Sequence, residues 1–495
     1  MITLGIDCGT SALKAVLVNE DGGVTATAAR GYRPDHPHPL WSEQDPRVWR
    51  AAMAGAIGDL RAAAPAALAA VAAIGFSAQM HSAVLIGLDD QPLRSALLHN
   101  DARAHREARE LWEQYPEIAR IVGVKPMTGF TAPKLMWLRR HERQIFDQIA
   151  CVLLPKDYLR LCLTGEKLTD MSDAAGTWWL DEAARRWSPE AVAASGLDLA
   201  RLPPLTEGCR PVASLTASAA EEFGLPRGAI VAAGGADAAA GAIGIGAIRP
   251  GDAFISLGTA SQLIIASDRY QTAPPEKLVH SFAHALPGRW YRMAAMLNGA
   301  GALAFAARLF GCAAGDLEAE AARDYPGPGR AIFLPYLSGE RTPHDDPHAS
   351  GVAFGLTESA SRADFARAVM EGVALTLADA RDCLADAGDA FSQVGLIGGG
   401  AKSALWTRMI ASALDRDVVR YRGGETGPAF GAARLGRLAA TGEAPDEVCA
   451  PPEIADVTRP EPALAEAFAL QHERFRSLYG ALRPEFARRG AATEA

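Results

Sequence analysis

The chain has 495 residues, of which 49% are hydrophobic and 22% are charged, so it can bury a sizeable core and wholesale disorder is excluded. At about 100–200 residues per domain, this length predicts about two to four domains. Its 49 Lys and Arg against 58 Asp and Glu give a formal net charge of −9. With no dense basic run, this balance argues against nucleic-acid binding, which depends on clustered Lys and Arg.

The seven cysteines are scattered along the chain, odd in number and without a C-x-x-C pair. This usage predicts free thiols in a cytoplasmic protein and argues against a disulfide scaffold or a structural zinc site. The N-terminal stretch lacks the basic start of a signal peptide. No uncharged apolar run reaches the roughly 18–20 residues of a membrane span, so we expect no contact with a membrane.

The N-terminal pattern predicts a β-hairpin with a small polar tip. Apolar residues 2–6 precede Asp7-Cys8-Gly9-Thr10-Ser11, and a β-compatible run follows over 12–18. A second hairpin of the same design is predicted over 252–265, with the tip S-L-G-T-A-S. The recurrence predicts two related α/β units, although small-residue turns could also recur by chance.

Helical and strand patterns alternate along the rest of the chain, as is typical of α/β proteins. Helices are predicted over 51–73, 104–115, 133–149, 157–163, 238–248, 405–414 and from about residue 462. Strands are predicted over 71–76, 84–88, 152–155, 229–233 and 394–397. Two of these strands end in glycine turns, Gly234-Gly235 and Gly398-Gly399-Gly400.

Both hairpin tips are candidate phosphate sites, because backbone N–H groups converge where side chains are small. The segments concerned are Gly9-Thr10-Ser11 and Gly258-Thr259. Asp7 beside the first tip would repel a phosphate unless a cation intervened, and Mg²⁺ suits that position. Neither tip fits the Walker pattern. A plain hairpin turn is the alternative for each tip.

Asp237 follows a strand and a glycine turn, which makes it a candidate general base. A helix N-cap is the alternative interpretation of this aspartate. His81 and His99 are candidate acid or base groups, or simply hydrogen-bonding residues. No G-x-S-x-G signature of a serine nucleophile is present.

Two further segments could contact a ligand. The Gly398–Gly400 turn would let a flat group such as adenine approach the backbone, or it is merely a tight strand-to-helix turn. The polar run from His99 to Arg103 has donors and acceptors for several sugar hydroxyls, or it is a loop that ends in a helix cap.

An ordered series of motifs covers almost the whole chain, from residue 2 to residue 482. The motifs are G-I-D-C-G-T-S at 5–11, H-P-L-W-S-E-Q-D-P at 38–46, Q-M-H at 79–81, G-F-T-A-P-K-L-M-W-L at 129–138, L-L-P-K-D-Y-L-R at 153–160, M-S-D-A-A-G-T at 171–177, F-L-P-Y-L-S-G-E-R-T-P-H at 333–344 and G-L-I-G-G-G-A-K-S at 395–403. Through them the chain resembles the FGGY carbohydrate kinases.

The resemblance implies an α/β fold of two actin-like (ribonuclease H-like) domains with a cleft between them, as in sugar kinases, Hsp70 and actin. Residues 1–246 would hold the sugar site and the first phosphate hairpin, and residues 247–495 the ATP site. It implies ATP and Mg²⁺ as cofactors, a small sugar as substrate and a homodimer as the usual assembly. D-xylulose, phosphorylated at O5, is the expected acceptor, and another ketose or a polyol is the alternative.

The resemblance also assigns roles residue by residue. Asp237 would be the catalytic base and Asp7 would organise Mg²⁺. The remaining assignments are sugar contacts at Gln79, Met80, His81, Asn100, Asp101 and Arg103, phosphate contacts at Thr10, Ser11, Gly258 and Thr259, and the adenosine pocket at Gly399, Gly400, Ala401 and Ser403. An ATP-binding sensor or chaperone-like ATPase on the same fold is the competing function, and the retained Met80-His81 and Asp237 argue against it.

The chain departs from the family pattern at four positions. Ala236, Ala238 and Ala260 stand where Gly, Asn and Ser are common, and His99 stands where Trp is common. The alanines remove possible hydrogen bonds near the reacting centre, and His99 could reshape the sugar pocket. These departures bear on the choice of sugar more than on the kinase assignment.

Overall fold

The computed structural model describes residues 1–422 and 427–494. Residues 423–426 and 495 of the predicted second domain therefore lie outside the described chain. The strands of the first half are β1 (Ile2–Cys8), β2 (Ala12–Val18), β3 (Val24–Gly31), β4 (Glu43–Gln44), β5 (Val71–Ala78), β6 (Val84–Ile86), β7 (Ala96–Leu97), β8 (Cys151–Leu153), β9 (Thr169–Asp170), β10 (Leu180–Asp181), β11 (Arg186–Trp187), β12 (Leu205–Thr206), β13 (Pro211–Ser214), β14 (Ile230–Ala232) and β15 (Gly235–Ala236). Its helices are α1 (Pro46–Ala63), α2 (Pro65–Ala69), α3 (His105–Gln114), α4 (Ala119–Val122), α5 (Thr131–His141), α6 (Arg143–Gln148), α7 (Pro155–Thr164), α8 (Met171–Ala175), α9 (Pro189–Ala194), α10 (Ala217–Phe223) and α11 (Asp237–Ile245).

The second half continues the alternation of strands and helices. Its strands are β16 (Ala253–Leu257), β17 (Ser261–Ser267), β18 (Val279–Ala283), β19 (Trp290–Met296), β20 (Ile332–Leu334), β21 (Val352–Phe354), β22 (Gln393–Ile397), β23 (Asp417–Tyr421) and β24 (Ile454–Thr458). Its helices are α12 (Gly301–Leu309), α13 (Ala314–Ala322), α14 (Arg362–Asp386), α15 (Ala404–Leu414), α16 (Gly427–Thr441), α17 (Pro445–Val448) and α18 (Pro462–Glu494).

Both predicted hairpins are confirmed, as β1–β2 and β16–β17. The helix predicted over 51–73 is wrong at its end, because Val71 already begins β5, which pairs in parallel with β1. The helix predicted over 133–149 divides into α5 and α6 around Glu142. In both places the helical pattern of apolar residues runs past the end of the real helix.

The two large sheets have the same topology, which supports related units over chance recurrence of turns. The first sheet has the order β13-β14-β5-β1-β2-β3, and β15 also pairs with β5. The second has the order β18-β19-β17-β16-β22-β23-β24. In each, β1 or β16 has two successive antiparallel strands on one side, and on the other side two parallel strands followed by one antiparallel edge strand. The second sheet has β18 as an additional antiparallel strand beyond β19.

Two helices link the halves by packing at very short distance. Helix α16, from the second half, lies against β1 and β5 of the first sheet, and α11 packs both on α16 and near Phe254 of β16. A Cβ atom at Gly75 would lie 1.8 Å from the Ala432 carbonyl oxygen, and one at Gly431 would lie 1.8 Å from that of Ala240. Only glycine therefore permits these contacts, because a methyl group would occupy the space of the neighbouring backbone.

All seven cysteines are free, as predicted. Among the residues that the structure describes, no helix is both long and apolar enough to cross a membrane.

We predict that Gly75→Ala destabilises the protein, because the added methyl group forces α16 away from β5. Overpacking of this kind costs about 1–3 kcal/mol. The matched control is Gly58→Ala in α1, where an added Cβ meets no atom within 4 Å, and where Ala should be neutral or stabilising by about 0.5–1 kcal/mol. Chemical denaturation of both variants measures the difference. Equal stabilities of the two variants would contradict the close packing.

Candidate active site

The register of three parallel strands places the candidate residues at one edge of the first sheet. In β5, Ser77 lies opposite Asp7 of β1 on one side and opposite Gly235 of β15 on the other. The chain that follows each strand, namely the first hairpin tip, residues 79–81 and Asp237, therefore emerges at the same level. The carboxyl edge of parallel strands is where α/β folds bind ligands.

The first hairpin tip directs backbone donors away from the protein. The Tyr32 hydroxyl donates to the Gly9 carbonyl at 2.7 Å, and the Tyr32 N–H donates to that of Ser11 at 2.9 Å. The Gln44 amide reaches the Thr10 carbonyl at 3.5 Å. Across the described residues, the N–H groups of Thr10 and Ser11 find no acceptor. The carbonyls are thus occupied while these N–H groups stay available to an anion.

The second hairpin tip has the same polarity. The N–H groups of Ala300 and Gly301, at the start of α12, donate to the carbonyls of Gly258 at 2.7 Å and Thr259 at 3.2 Å. The N–H groups of residues 258–260 donate to no acceptor in the part of the chain that the structure describes. Two tips with occupied carbonyls and available N–H groups suit a ligand that carries several phosphates.

The Gly398–Gly400 turn lies beside the second tip, since Ile397 of β22 pairs in parallel with Ser256 of β16. Gly398 has φ +93°, and a Cβ at Gly400 would lie 2.5 Å from the Leu257 side chain. Gly399 is exposed and an added Cβ there meets no neighbour, so its face is open to a ligand.

Two residues that follow the turn have structural partners. The Ala401 carbonyl accepts from Arg420 Nη1 at 3.1 Å. Ser403 is buried, and its hydroxyl caps α15 by accepting the Trp406 N–H at 3.0 Å. The Ser403 hydroxyl therefore stabilises the end of the turn rather than facing the open side.

Asp7 and Asp237 are the two carboxylates of the site. Burial raises the pKa of Asp7 to about 6, against the lowering effect of Lys14. Burial, and then the charge of Asp7, raise the pKa of Asp237 to about 7. The N-cap alternative for Asp237 is not realised, since Ala236 occupies the N-cap position and Asp237 Oδ1 accepts from the adjacent Ala238 N–H at 2.9 Å.

The site has the features that a magnesium–nucleotide complex requires. Asp7 Oδ1 is buried and has no hydrogen-bond donor among the described residues. Within the same described chain, no three His, Cys, Asp or Glu side chains group closely enough to hold a metal by themselves. Magnesium commonly takes one or two carboxylates and completes its shell with water and substrate phosphates, so the residues present fit the cation together with a nucleotide.

Gln79 connects the first hairpin tip to His99. Its Oε1 accepts from the Thr10 hydroxyl at 3.2 Å and from His99 Nδ1 at 2.9 Å. Its Nε2 is buried and has no acceptor among the described residues, so it is available to a ligand. Burial lowers the pKa of His99 to about 3, which keeps this imidazole neutral at physiological pH.

His81 is held in an uncommon backbone conformation, with φ +70°. Its carbonyl accepts from the Thr131 hydroxyl and from Lys134 Nζ, both at 3.1 Å. Its Nδ1 donates to the Gly176 carbonyl at 2.6 Å, and burial keeps its pKa well below the ordinary value. The ring is thus neutral with its proton on Nδ1, so Nε2 can accept a hydrogen bond. Met80, beside it, is buried.

Asp101 and Arg103, two predicted sugar contacts, are paired with each other. Asp101 accepts from Arg103 Nη2 at 2.7 Å and from the Ser42 N–H at 2.7 Å. The guanidinium of Arg103 stacks on Trp41 at 3.6 Å. What this pair can still offer a ligand is Arg103 Nη1, which is buried without an acceptor among the described residues. Asn100 is exposed.

Sequence reasoning assigned no role to Arg341, although its motif contributed to the resemblance. The Glu340 carboxylate accepts from Leu297 N–H at 2.7 Å, and Thr342 donates to the Leu278 carbonyl at 3.0 Å, so both flanking residues are fixed. The Arg341 side chain makes no hydrogen bond within the described chain, and its charge contributes to the lowered pKa values of His81, His99 and His280. The signal for Arg341 in the sequence was its charge within the motif at 333–344.

The alanines at two of the departures, Ala236 and Ala238, take part in hydrogen bonds through their backbones. The hydrogen bonds at both positions run through backbone N–H groups, to Ser172 Oγ and to Asp237 Oδ1 respectively. Ala260 is exposed at the second tip. His99 stands where Trp is common. The hydrogen bond from its ring to Gln79 connects it to the first tip.

Comparison with known proteins gives a consistent result along the chain. Residues 2–244 match the N-terminal domain of the FGGY family of carbohydrate kinases, and residues 253–440 match its C-terminal domain. A xylulose kinase of Escherichia coli strain K12 is 43% identical over 97% of this chain and 99% of its own. A Bacillus subtilis xylulose kinase is 35% identical over 87% of each chain.

A solved structure is also similar throughout. The crystal structure of a xyloylose kinase from Brucella ovis has a TM-score of 0.93 and 44% identity, and it covers 98% of this chain and 100% of its own. The two matched sheets, the paired hairpin tips and the full-length similarity agree. This chain therefore belongs to the FGGY family of carbohydrate kinases.

Proposed function

We propose that this protein transfers the γ-phosphoryl group of ATP to O5 of D-xylulose and forms D-xylulose 5-phosphate in xylose catabolism. The relatives from E. coli and B. ovis, at 43% and 44% identity, are named for this sugar and are similar over almost their full length. The observation that carries the proposal is the arrangement at the sheet edge. Two carboxylates lie at the level of the first hairpin tip, whose N–H groups are available.

Asp237 acts as the general base. A carboxylate with a pKa of about 7 is half ionised near neutrality and still basic enough to accept the proton of a sugar hydroxyl. As that proton moves to Asp237 Oδ, the hydroxyl oxygen bonds to the γ-phosphorus and the bond to the leaving ADP oxygen breaks. Gln79 Nε2 and His81 Nε2 orient the sugar, as donor and acceptor respectively.

The phosphate chain of ATP binds between the tips. Thr10 and Ser11 contact it from the first half, and Gly258 and Thr259 from the second, through N–H groups that stabilise charge as it spreads in the transition state. Asp7 would hold Mg²⁺, which neutralises phosphate charge when bound. Gly399, Gly400 and Ala401 line the adenosine pocket, and Met80 closes the sugar side.

A different ketose or a polyol is the second candidate substrate, since the choice depends on pocket shape at His99, Arg103 and Arg341. The division of the chain at residue 246, the homodimer and the cytoplasmic location stay predictions. The retained polar groups of Gln79 and His81 argue against the sensor alternative: Gln79 Nε2 has no acceptor among the described residues, and the proton on Nδ1 makes His81 Nε2 an acceptor.

The raised pKa of Asp237 predicts a pH-dependent stability difference. Its pKa is about 7 in the folded chain against 3.8 ordinarily, so its contribution to stability is present below about pH 4 and is lost as pH rises through 7. Asn does not titrate. The thermal midpoint of Asp237→Asn minus that of the wild type should therefore grow between pH 4 and pH 7 and level off above. A difference that stays constant with pH contradicts a buried, raised carboxyl group.

Asp237→Asn should also abolish sugar-dependent ADP release while the protein stays folded, because no group remains to accept the proton. We expect a loss of about 10²-fold or more in kcat, the scale of general-base catalysis, with the KM for Mg-ATP little changed. Circular dichroism checks the fold. Asp21→Asn, at an exposed aspartate outside the site, is the matched control and should keep full activity.

A panel of ketoses and polyols in the same ADP-release assay tests the substrate. D-xylulose should give the highest kcat/KM. A higher value for another acceptor would replace D-xylulose in the proposal and leave the kinase assignment standing. Near-normal turnover of Asp237→Asn would instead remove Asp237 from its role.

A further inference from the structure

Two motifs, at 153–160 and 171–177, have no role in the chemistry above. The structure brings both beneath the turn of residues 233–236 that leads into Asp237. Five charged side chains in these motifs and directly beside them are completely buried. They are Lys156, Asp157, Arg160, Asp170 and Asp173.

Ser172 connects this buried network to the turn. Its hydroxyl accepts the Ala236 N–H at 3.0 Å and donates to Asp170 Oδ2 at 2.5 Å. The same carboxylate oxygen accepts the Ser172 N–H at 2.8 Å, which fixes the side chain at its base. Ser172 is fully buried, so water cannot replace either bond. Ala236 directly precedes Asp237 and pairs with Ala78 of β5, and the hydrogen bond to Ser172 adds a second anchor, which leads to the Asp170 carboxylate.

Arg160 holds the other end of the turn. Its Nη1 donates to the Ala233 carbonyl at 2.7 Å and to Asp157 Oδ1 at 3.0 Å. Between the two held ends lie Gly234, with φ +90°, and Gly235. Glycines have no side chains to anchor, and they sample many backbone conformations when unrestrained. The conformation of this turn is therefore fixed by hydrogen bonds to its backbone.

Lys156 joins the acids of the network. Its Nζ lies 2.5 Å from Asp157 Oδ1, 2.9 Å from Asp170 Oδ1 and 3.2 Å from Asp173 Oδ2. Burial, with the charges of Asp157 and Asp170 adding to it, holds the pKa of Asp173 well above its usual range. The cations Lys156 and Arg160 thus lie among three buried acids. A buried polar network of this kind resists rearrangement, because partial disruption leaves a buried polar group without its partner.

We propose that Ser172 is a positioning residue for Asp237: through the Ala236 N–H it fixes the turn that sets where the base carboxylate lies. The inference rests on the proposed function, since it concerns the base assigned there. It predicts that loss of the hydroxyl displaces the carboxylate while the nucleotide contacts, made by other elements, are kept.

The test is Ser172→Ala in the ADP-release assay. We expect kcat to fall about 10- to 100-fold, the scale of a displacement near 1 Å at a reacting group, with the KM for Mg-ATP unchanged. The ascending limb of the pH–rate profile should move to lower pH, because a released carboxylate gains solvent and loses its proximity to Asp7. Ser172→Cys, nearly the same size but a weak acceptor, should shift kcat in the same direction by less, and it serves if Ser172→Ala does not fold.

The matched control is Ser188→Ala. Ser188 is buried in the same half and its hydroxyl accepts the Ala191 N–H at 3.2 Å at the start of α9. It loses the same kind of bond, made at the start of α9 rather than to the residues that precede Asp237, so its kcat and pH profile should match the wild type.

Each of the following results would overturn the inference. Wild-type kcat and pH profile in Ser172→Ala show that the hydroxyl does not position the base. Equal losses in Ser172→Ala and Ser188→Ala show a general effect on the fold. Near-normal turnover of Asp237→Asn, measured separately, refutes the base and with it the inference. An inactive Asp237→Asn beside an unaffected Ser172→Ala refutes the positioning role alone.

Discussion

The parallel pairing of β1 and β15 with β5 is the constraint on which the rest of the site depends. Because Asp7, Ser77 and Gly235 lie in one register, segments more than two hundred residues apart in the chain emerge at one level. A slip of two residues would separate the carboxylates by about 7 Å, and a slip of one would reverse the direction of each side chain. The second sheet repeats the device with β16 and β22, which brings its hairpin tip beside the Gly398–Gly400 turn.

Electrostatics and packing act together around this register. Burial raises the pKa values of Asp7 and Asp237, and the charge of Asp7 raises that of Asp237 further, so the two carboxylates retain unfavourable negative charge that a bound cation would relieve. The residues that precede Asp237 are held by hydrogen bonds with the buried network of Ser172 and Arg160. Helix α11 begins at Asp237 itself, so the helix that packs closely on α16 also carries the proposed base.

Much of this could be read from the sequence where the signal is local. The hairpins, their tips, the glycine turns and most helices follow from alternation and turn residues, and the motif series indicated the family before any geometry. Where a prediction from the sequence was wrong, the cause was also a local pattern. The helix predicted over 51–73 extends into β5, because the alanine-rich run has a helical pattern. The pattern does not show that its last residues pair with the neighbouring strand β1. The ligand contact predicted for Ser403 stays a prediction, and the structure adds that its hydroxyl caps α15.

The sequence by itself determined the residue types of the proposed site, because short motifs encode them: two acids, two glycine-bearing tips and the polar residues proposed to contact the sugar. Only the tertiary structure decided how those groups are paired. It pairs Asp101 with Arg103, leaves the Arg341 side chain without a hydrogen-bond partner in the described chain, and directs Ser172 to the Ala236 N–H. Such pairings depend on register, burial and distances between segments far apart in the chain, and a linear pattern contains no record of distance between remote residues.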